Sequence, residues 1–126
     1  MKIVAIMAVY NEERIIAASL EHWRTHGVKV LLVDNESTDR TLEIAEQYRG
    51  SCLLDIEFLP RHGVFHLERI LKCKEKLSES IDADWLLHVD ADEFHQPFTP
   101  TQSLHDALVD VDAAGYNAVS FLEFTF

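Results

Sequence analysis

The sequence predicts an α/β protein built on a mostly parallel sheet with helices on both of its faces. Short apolar runs rich in β-branched residues alternate with amphipathic stretches along the chain. The first of them, at residues 2–8, is a short apolar run that is typical of a strand buried on both faces. Because a strand–helix–strand order favours parallel pairing through helical crossovers, the chain is expected to form a Rossmann-like three-layer sandwich.

Five strands are predicted, at residues 2–8, 28–33, 52–59, 85–89 and 116–126. Asn11 is expected to cap the helix after the first strand, and Ser37 or Thr38 the helix after the second. These side chains can accept hydrogen bonds from the unpaired N–H groups of a first helical turn.

Two further helices follow. The first covers 65–80, with Lys74 among its solvated residues. Its predicted apolar face consists of Leu67, Ile70, Leu71 and Leu77. Thr99 and Gln102 match a capping box with Pro100 at the first helical position, which predicts the start of the last helix.

Length and charge fit one domain over residues 1–126 and exclude several classes of protein. The chain has 126 residues, with 11 Lys and Arg against 22 Asp and Glu, and a net charge of −11. So acidic a chain is not expected to bind nucleic acid, which needs a basic face. No apolar run approaches the ~20 residues that cross a bilayer. The four glycines are too scattered for a glycine-rich phosphate loop, so any nucleotide must be held by other means.

Neither the cysteines nor the histidines predict a zinc site. Cys52 and Cys73 lie in no zinc-spaced motif and are expected to be reduced, buried thiols, as in a cytoplasmic protein. His22 and His26 are one turn apart at the end of the first predicted helix. There they are expected to complement the negative helix end rather than to bind zinc.

The last predicted strand reaches Phe126 without a closing helix or a polar tail. A parallel sheet seldom leaves such an apolar strand uncovered. We therefore expect that the C-terminal half of a larger domain is absent from this sequence, or that something else, such as a second copy in a homo-oligomer, covers the strand.

Polar residues follow the carboxyl ends of four predicted strands, where ligands bind in sheets of this kind. The sharpest element is the segment Asp90-Ala91-Asp92. In an extended segment residues i and i+2 point the same way, so two carboxylates can reach one ion, and such hard ligands suit Mg²⁺ or Mn²⁺. The cation could then clamp a diphosphate. The same tripeptide is also typical of a solvated turn.

Three more side chains at this rim have two interpretations each. Tyr10 could stack on a base or cover the sheet edge. Asp34 could serve the turn before the second helix, but residues 37–39 supply that role, so its carboxylate is expected to be free for a ligand. Arg61 could contact a phosphate or a base, or could be a surface loop charge.

Three motifs together resemble those of the family 2 glycosyltransferases, which have the GT-A fold. They are AVYNEE at residues 8–13, VDNESTDRT at 33–41 and HVDADE at 88–93. Their order and spacing are similar to that family over essentially the whole chain. The sequence departs from the family at Glu36 and Arg40, where glycines are common, and in the bulkier loop at 61–65.

The resemblance implies a nucleotide-diphospho-sugar donor, often a UDP-sugar, and a divalent metal, Mg²⁺ or Mn²⁺. The residues expected to bind the nucleotide sugar are Tyr10, Glu12, Asp34, Asn35, Arg61 and Asp90, and those expected to hold the metal are Asp92 and Asp90. In inverting members a carboxylate base takes the proton of an acceptor hydroxyl. That base is expected beyond Phe126, and Glu123 is not assigned the role. Family members often act at a membrane, so a cytoplasmic location at the inner membrane face is expected.

Other functions stay open at this point. A non-catalytic nucleotide-binding or assembly module could keep the same fold, and metal-dependent phosphoryl or nucleotidyl transfer would use similar residues. A receiver-type phospho-acceptor domain shares the length, acidity and Mg²⁺-binding carboxylates. Its phosphorylated Asp follows the third strand, however, where this chain has Leu-Pro-Arg, and no Lys follows Lys76.

Overall fold

Four strands alternate with four helices in the computed structural model, which describes residues 1–126. The strands are β1 (Ile3–Val9), β2 (Lys29–Asp34), β3 (Leu53–Phe58) and β4 (Trp85–Asp90). The helices are α1 (Ile16–Thr25), α2 (Thr41–Glu46), α3 (Leu67–Ser80) and α4 (Leu104–Ala113). The predicted α/β class is confirmed, and no helix is long and apolar enough to cross a bilayer.

All neighbouring strands are parallel, in the order β3-β2-β1-β4. The register sets Val9 opposite Asp34 and Ala8 opposite Asp90, so β1, β2 and β4 end at one level. The chain runs outward from β1 to β3 and then returns to β4 on the other side of β1. The loops after β1 and β4 therefore diverge here, and a doubly wound sheet opens its ligand crevice at such a point.

The main core lies on the face of the sheet that α1 and α4 cover. It includes the side chains of Ile3, Ala5, Met7, Val9, Leu20, Trp23 and Leu104. Val4 and Ile6 are just as buried but alternate to the opposite face, where α3 contacts β1 and β2. Because each fully buried aliphatic side chain contributes ~1.5–3 kcal/mol, the two apolar layers hold the strand ends firmly in register.

Helices α1 and α2 begin later than predicted because the expected capping side chains make other contacts. Asn11 does not cap α1; its Oδ1 accepts a hydrogen bond from the backbone N–H of Thr38 at 2.7 Å. Helix α2 starts at Thr41, whose N–H donates to the Asp39 carboxylate at 2.9 Å. The predicted cap at Asn11, and that at Ser37 or Thr38, are therefore wrong.

Helix α4 begins at Leu104, after the predicted capping box at 99–102. Ser103 is its N-cap, and the Ser103 hydroxyl accepts from the backbone N–H of Asp106 at 3.0 Å. The predicted box is wrong because Ser103 caps the first turn, and the Gln102 side chain donates to the Asp110 carboxylate at 2.8 Å instead of bonding back to Thr99.

Helix α3 packs on the sheet through Ile70 and Lys74 rather than through its leucines. Ile70 and Lys74 are 7% and 4% exposed, whereas Leu67 and Leu71 are 56% and 51% exposed. Residues four apart lie on the same face of a helix, so Ile70 and Lys74 form the buried face of α3. The prediction that Lys74 is solvated is wrong.

The fifth predicted strand does not form. Residues 116–126 have no regular secondary structure, and Leu122, Phe124 and Phe126 are exposed. The segment is apolar enough for a strand, but it pairs with none of the four strands. Residues 117–119 and 121 instead line a cavity together with Trp85, Leu86 and Leu87 of β4. The sheet therefore has four strands, with β4 at one edge.

Candidate functional site

A cleft of about 270 Å³ opens at the carboxyl ends of β1 and β4. Its polar lining residues are Tyr10, Glu12, Asn35, Asp90 and Asp92. One wall is apolar and comes from α3 and the loop before it, through Phe65, Leu67 and Ile70. The cleft thus joins carboxylates to an apolar wall, a combination that suits a ligand with one charged and one flat, apolar part.

The loop after β1 is fixed to the loop after β2 by a network centred on Asn11. Besides accepting from Thr38, Asn11 donates its backbone N–H to the Ser37 hydroxyl at 3.0 Å. The next residue, Glu12, donates its N–H to the Thr41 hydroxyl at 2.8 Å. Asn11 has a φ of 50°, a left-handed conformation that Asn tolerates better than most residues. This network sets where the Glu12 side chain enters the cleft.

Glu12 is the least exposed acid of the cleft rim. Burial raises the pKa of its carboxyl above the usual range, and the carboxylates of Asp92, Asp39 and Asp90 raise it further. Like charges so close to one another favour binding of a cation among them.

Asp90 and Asp92 flank Ala91, which is buried, and both carboxylates line the cleft. A tight turn forms directly after β4, since the Glu93 N–H donates to the Asp90 carbonyl at 3.1 Å and the Glu93 carboxylate accepts from the Asp90 N–H at 3.0 Å. Asp90, the last residue of β4, and Asp92, in the turn after it, thus both line the cleft.

The donor set fits a cation that also has other ligands. No group of three His, Cys, Asp or Glu side chains could hold an ion by itself. Mg²⁺ is commonly held by one or two carboxylates, with phosphate oxygens and waters at its other positions. Asp90 and Asp92 therefore suit a cation that arrives with a diphosphate, rather than a closed metal cage.

The acidic rim of the cleft consists of Glu12, Asp90, Asp92 and Glu93. Lys74 lies behind this acidic rim. Its Nζ donates to the Val89 carbonyl at 2.9 Å and lies 3.7 Å from an Asp90 carboxylate oxygen. Burial lowers the pKa of the Lys74 ammonium, and the carboxylates of Asp90 and Glu93 oppose that shift. Sequence reasoning missed this residue, although its spacing of four from Ile70 was a usable signal.

Arg61 stacks on the ring of Tyr10. The guanidinium carbon lies 3.6 Å from the centre of the Tyr10 ring and 5.8 Å from that of Phe65. One guanidinium nitrogen donates to Asn35 Oδ1 at 3.4 Å. Arg61 does not itself line the cleft, but it contacts three residues that do.

Asn35 has a fixed amide orientation. Its Nδ2 donates to the Leu59 carbonyl at 3.0 Å, while its Oδ1 accepts from Arg61. A flipped amide would place oxygen against oxygen and N–H₂ against a guanidinium. Asn35 therefore presents a hydrogen-bond acceptor on the side of Arg61 and Tyr10.

The family model described as Glycosyl transferase family 2 matches residues 4–107 of the chain. This chain belongs to glycosyl transferase family 2. The matched span contains β2, β3 and β4, all of β1 except its first residue, and every residue that lines the cleft. The family that the three motifs predicted is confirmed.

Solved structures of S. aureus TarS are similar to this family 2 chain. TarS 1–349 is 28% identical with a TM-score of 0.64, and the match covers 90% of this chain and 33% of that one. The same fragment in complex with UDP is 27% identical, with a TM-score of 0.65 and coverage of 90% and 32%. Its complex with UDP-GlcNAc is 28% identical, with a TM-score of 0.62 and the same two coverages. No curated protein matches the chain.

The likeness confirms the predicted fold, a GT-A type α/β domain with a parallel sheet. The chain spans about a third of the length of TarS 1–349.

Asp34 does not line the cleft of this family 2 chain. It is 1% exposed, and both of its carboxylate oxygens face the Ser37 N–H, at 3.2 and 3.4 Å. The expectation that the turn leaves this carboxylate free is wrong, because Asp34 itself closes the turn. Glu36, in the next position but one, adopts a φ of 69°, which is the conformation that the family's common glycine would favour.

His22 and His26 hold distant segments together. A ring nitrogen of His22 lies 2.9 Å from the His95 carbonyl, and His26 Nδ1 accepts from the Leu104 N–H at 2.9 Å. Burial lowers the pKa of both rings, with the neighbouring His26 adding to the effect on His22. They bond to other segments instead of complementing the end of α1, so the predicted role is wrong. Cys52 and Cys73 are free thiols, the first buried and the second half-buried.

Proposed function

We propose that this chain binds a nucleotide-diphospho-sugar, a UDP-sugar, through Mg²⁺ or Mn²⁺ and forms the donor site of a glycosyltransferase. One observation carries the proposal: Tyr10, Glu12, Asn35, Asp90 and Asp92 line a single cleft at the point where the loops after β1 and β4 diverge. The UDP and UDP-GlcNAc complexes of TarS support this choice of ligand.

The two ends of the cleft suit the two ends of a nucleotide diphosphate. Tyr10 with Arg61 offers a flat, cationic surface for the base, and Asn35 Oδ1 offers an acceptor for a base N–H. Glu12 suits the ribose hydroxyls. Asp34 is retained as a predicted base contact, which would require a base N–H to reach a carboxylate that is 1% exposed and already accepts from the Ser37 N–H.

Asp92 and Asp90 would hold the cation at the diphosphate end. When bound, Mg²⁺ or Mn²⁺ supplies positive charge that offsets the diphosphate leaving group. The chain's own part is to bring Asp90 and Asp92 to the cleft and to fix the turn between them and Glu93 through two hydrogen bonds. A turn that is already fixed reduces the entropy lost on binding.

Transfer also needs a base that accepts the proton of the acceptor hydroxyl. The acids that line the cleft have roles at the donor in this proposal, so none of them is assigned as that base. The free thiols of Cys52 and Cys73 suit the proposed cytoplasmic location.

Calorimetric titration with UDP tests the proposal. We expect binding in Mn²⁺ that weakens at least ~tenfold when EDTA replaces the metal, because the diphosphate then meets uncompensated carboxylates. Asp92→Asn should lose most of the metal-dependent gain, and Asp82→Asn, at an exposed acid away from the cleft, should keep it. If UDP does not bind in the presence of either Mg²⁺ or Mn²⁺, the proposal is wrong.

The second candidate is a nucleotide-binding module without transferase activity, because none of the acids that line the cleft is assigned as the base that transfer needs. Nucleotide binding with neither donor hydrolysis nor transfer would support it. The receiver alternative does not fit, because domains with that flavodoxin-like fold have the strand order 2-1-3-4-5 and this sheet has β3-β2-β1-β4.

A further inference from the structure

Lys74 occupies a position where a charged residue is costly. It is 4% exposed, while Lys72 on the same helix is 71% exposed at its side chain and pairs with Glu68 at 2.9 Å. Burying an ammonium removes its hydration, and apolar residues of similar size would usually pack there with less penalty. Packing of α3 alone therefore does not account for a lysine at this position.

The contacts of Lys74 lead to the metal-binding turn. Its Nζ donates to the carbonyl of Val89, the last residue before Asp90, and lies 3.7 Å from an Asp90 carboxylate oxygen. That carboxylate is 65% exposed on the cleft side, so the ion pair has one buried and one exposed partner. Lys74 thus contacts Asp90 from the protein interior, whereas a ligand in the cleft would contact Asp90 from the solvent side.

The charges around the rim are otherwise negative. Glu12, Asp90 and Asp92 line the cleft, and Glu93 bonds to the Asp90 backbone within the same turn. The Lys74 ammonium is the one cation within ion-pair distance of these four acids. A ligand diphosphate would bring further negative charge to this place.

We propose that Lys74 is a positioning residue for the donor site: it anchors the turn that carries Asp90 and Asp92, and its fixed positive charge offsets the acidic rim so that a diphosphate can approach. This inference rests on the proposed nucleotide-sugar function. Lys74 is not proposed to touch the donor, since it does not line the cleft.

The proposal makes two predictions of opposite sign for Lys74→Met. Loss of the cation leaves the rim more negative, so Mn²⁺ without nucleotide should bind roughly three- to tenfold more tightly, as measured by electron paramagnetic resonance. For the same reason UDP in EDTA should bind roughly three- to tenfold more weakly by calorimetry. Lys72→Met, on the solvent side of the same helix, should change neither affinity.

The opposite signs separate this role from a structural one. If Lys74→Met only distorts the site, it should bind both Mn²⁺ and UDP more weakly, and that result would overturn the proposal. Affinities for Mn²⁺ and UDP equal to those of Lys72→Met would overturn it as well. If wild-type protein binds no UDP under any condition, the proposed function fails as a whole. If it binds UDP but Lys74→Met matches Lys72→Met, only the inference about Lys74 fails.

A measurement on the unaltered protein covers the case in which Lys74→Met does not fold. In protein with ¹⁵N-labelled lysine, the buried Lys74 ammonium should give a slowly exchanging NMR signal, because it is shielded from water and hydrogen-bonded. UDP without metal should shift this signal, while the Lys72 signal stays in place. A Lys74 signal that does not move at saturating UDP would contradict the proposal.

Discussion

The Arg61 guanidinium lies 3.6 Å from the centre of the Tyr10 ring and is held there by Asn35. A cation on an aromatic face contributes ~0.5–2 kcal/mol, depending on how far water is excluded. The pair joins the loop after β3 to the loop after β1, at the end of the cleft proposed for the base.

Arg61→Ala should weaken UDP binding about tenfold, because it removes both the stacked cation and the hydrogen-bond donor to Asn35. Arg61→Lys should restore little, since an ammonium cannot stack as a planar guanidinium does. Calorimetry in Mn²⁺ measures both. The control is Arg40→Ala, whose side chain pairs with Glu43 on the surface. Wild-type affinity in Arg61→Ala would show that Arg61 is only a surface charge.

Glu12 should make the free protein less stable at neutral pH. Its pKa is raised from the ordinary value of 4.5 by burial and by Asp92, Asp39 and Asp90, so the folded state binds this proton more tightly than the unfolded state does. The cost of ionisation is fully present above the raised pKa and disappears as the pH falls below 4.5. Glu12→Gln should therefore melt at a higher temperature than wild type at pH 7 and at the same temperature at pH 4.

The same substitution should weaken UDP binding in Mn²⁺ while it raises the melting temperature. Such an exchange of stability for function is expected where like charges are gathered for a ligand. A Glu12→Gln variant that melts lower than wild type at pH 7 would contradict the assignment of Glu12 to a strained acidic rim.

Asn11 offers a test of the network between the first two loops. Asn11→Gly keeps the left-handed backbone and loses the bond to the Thr38 N–H, whereas Asn11→Ala loses the bond and also strains the backbone. Both should lower the free energy of unfolding, by ~1 kcal/mol for glycine and about 1 kcal/mol more for alanine. Urea denaturation measures the difference. Equal stability of the two variants would show that the backbone at this position is unstrained.

His26 should make stability depend on pH near neutrality. Its Nδ1 accepts from the Leu104 N–H, and burial lowers its pKa below the ordinary 6.5. For a base with a lowered pKa, stability is fully present above pH 6.5 and falls as the pH drops toward the lowered value. His22, 4.5 Å away between ring centres, shifts in the same direction.

His26→Ala should therefore lower stability by ~1 kcal/mol at pH 8 and flatten the decline between pH 7 and pH 5. His66→Ala, at an exposed ring without a capping bond, should not lower stability at pH 8. Chemical denaturation at several pH values measures both variants. An unaltered pH profile in His26→Ala would rule out the bond to α4 as its source.

The four observed strands were predictable because each is rich in apolar residues, although β3 also carries Asp55 and Glu57. The observed ends differ from the predicted ones by no more than one residue. The convergence of Tyr10, Glu12 and Asp90 followed from the rule that parallel strands end at one edge. The absence of the fifth strand could not be predicted from composition, because residues 116–126 are apolar enough for a strand but pair with none of the four strands of the sheet.

The remaining errors concern side chains whose partners lie far along the sequence. Asn11 bonds to Thr38 and Lys74 to Val89, and local propensity cannot foresee either contact. The stacking of Arg61 on Tyr10 depends on the path of two loops. Such long-range polar contacts define much of this site.

An amide NMR titration tests the central claim most directly, that one cleft binds a nucleotide diphosphate and a cation together. With UDP and Mg²⁺, the account predicts shifts at Tyr10, Asn35 and Ala91 and none at Leu108, on the other side of the sheet. Replacing part of the Mg²⁺ with Mn²⁺ should broaden signals around Asp92 first. Shifts centred elsewhere, or Mn²⁺ broadening that does not begin at Asp92, would contradict the account.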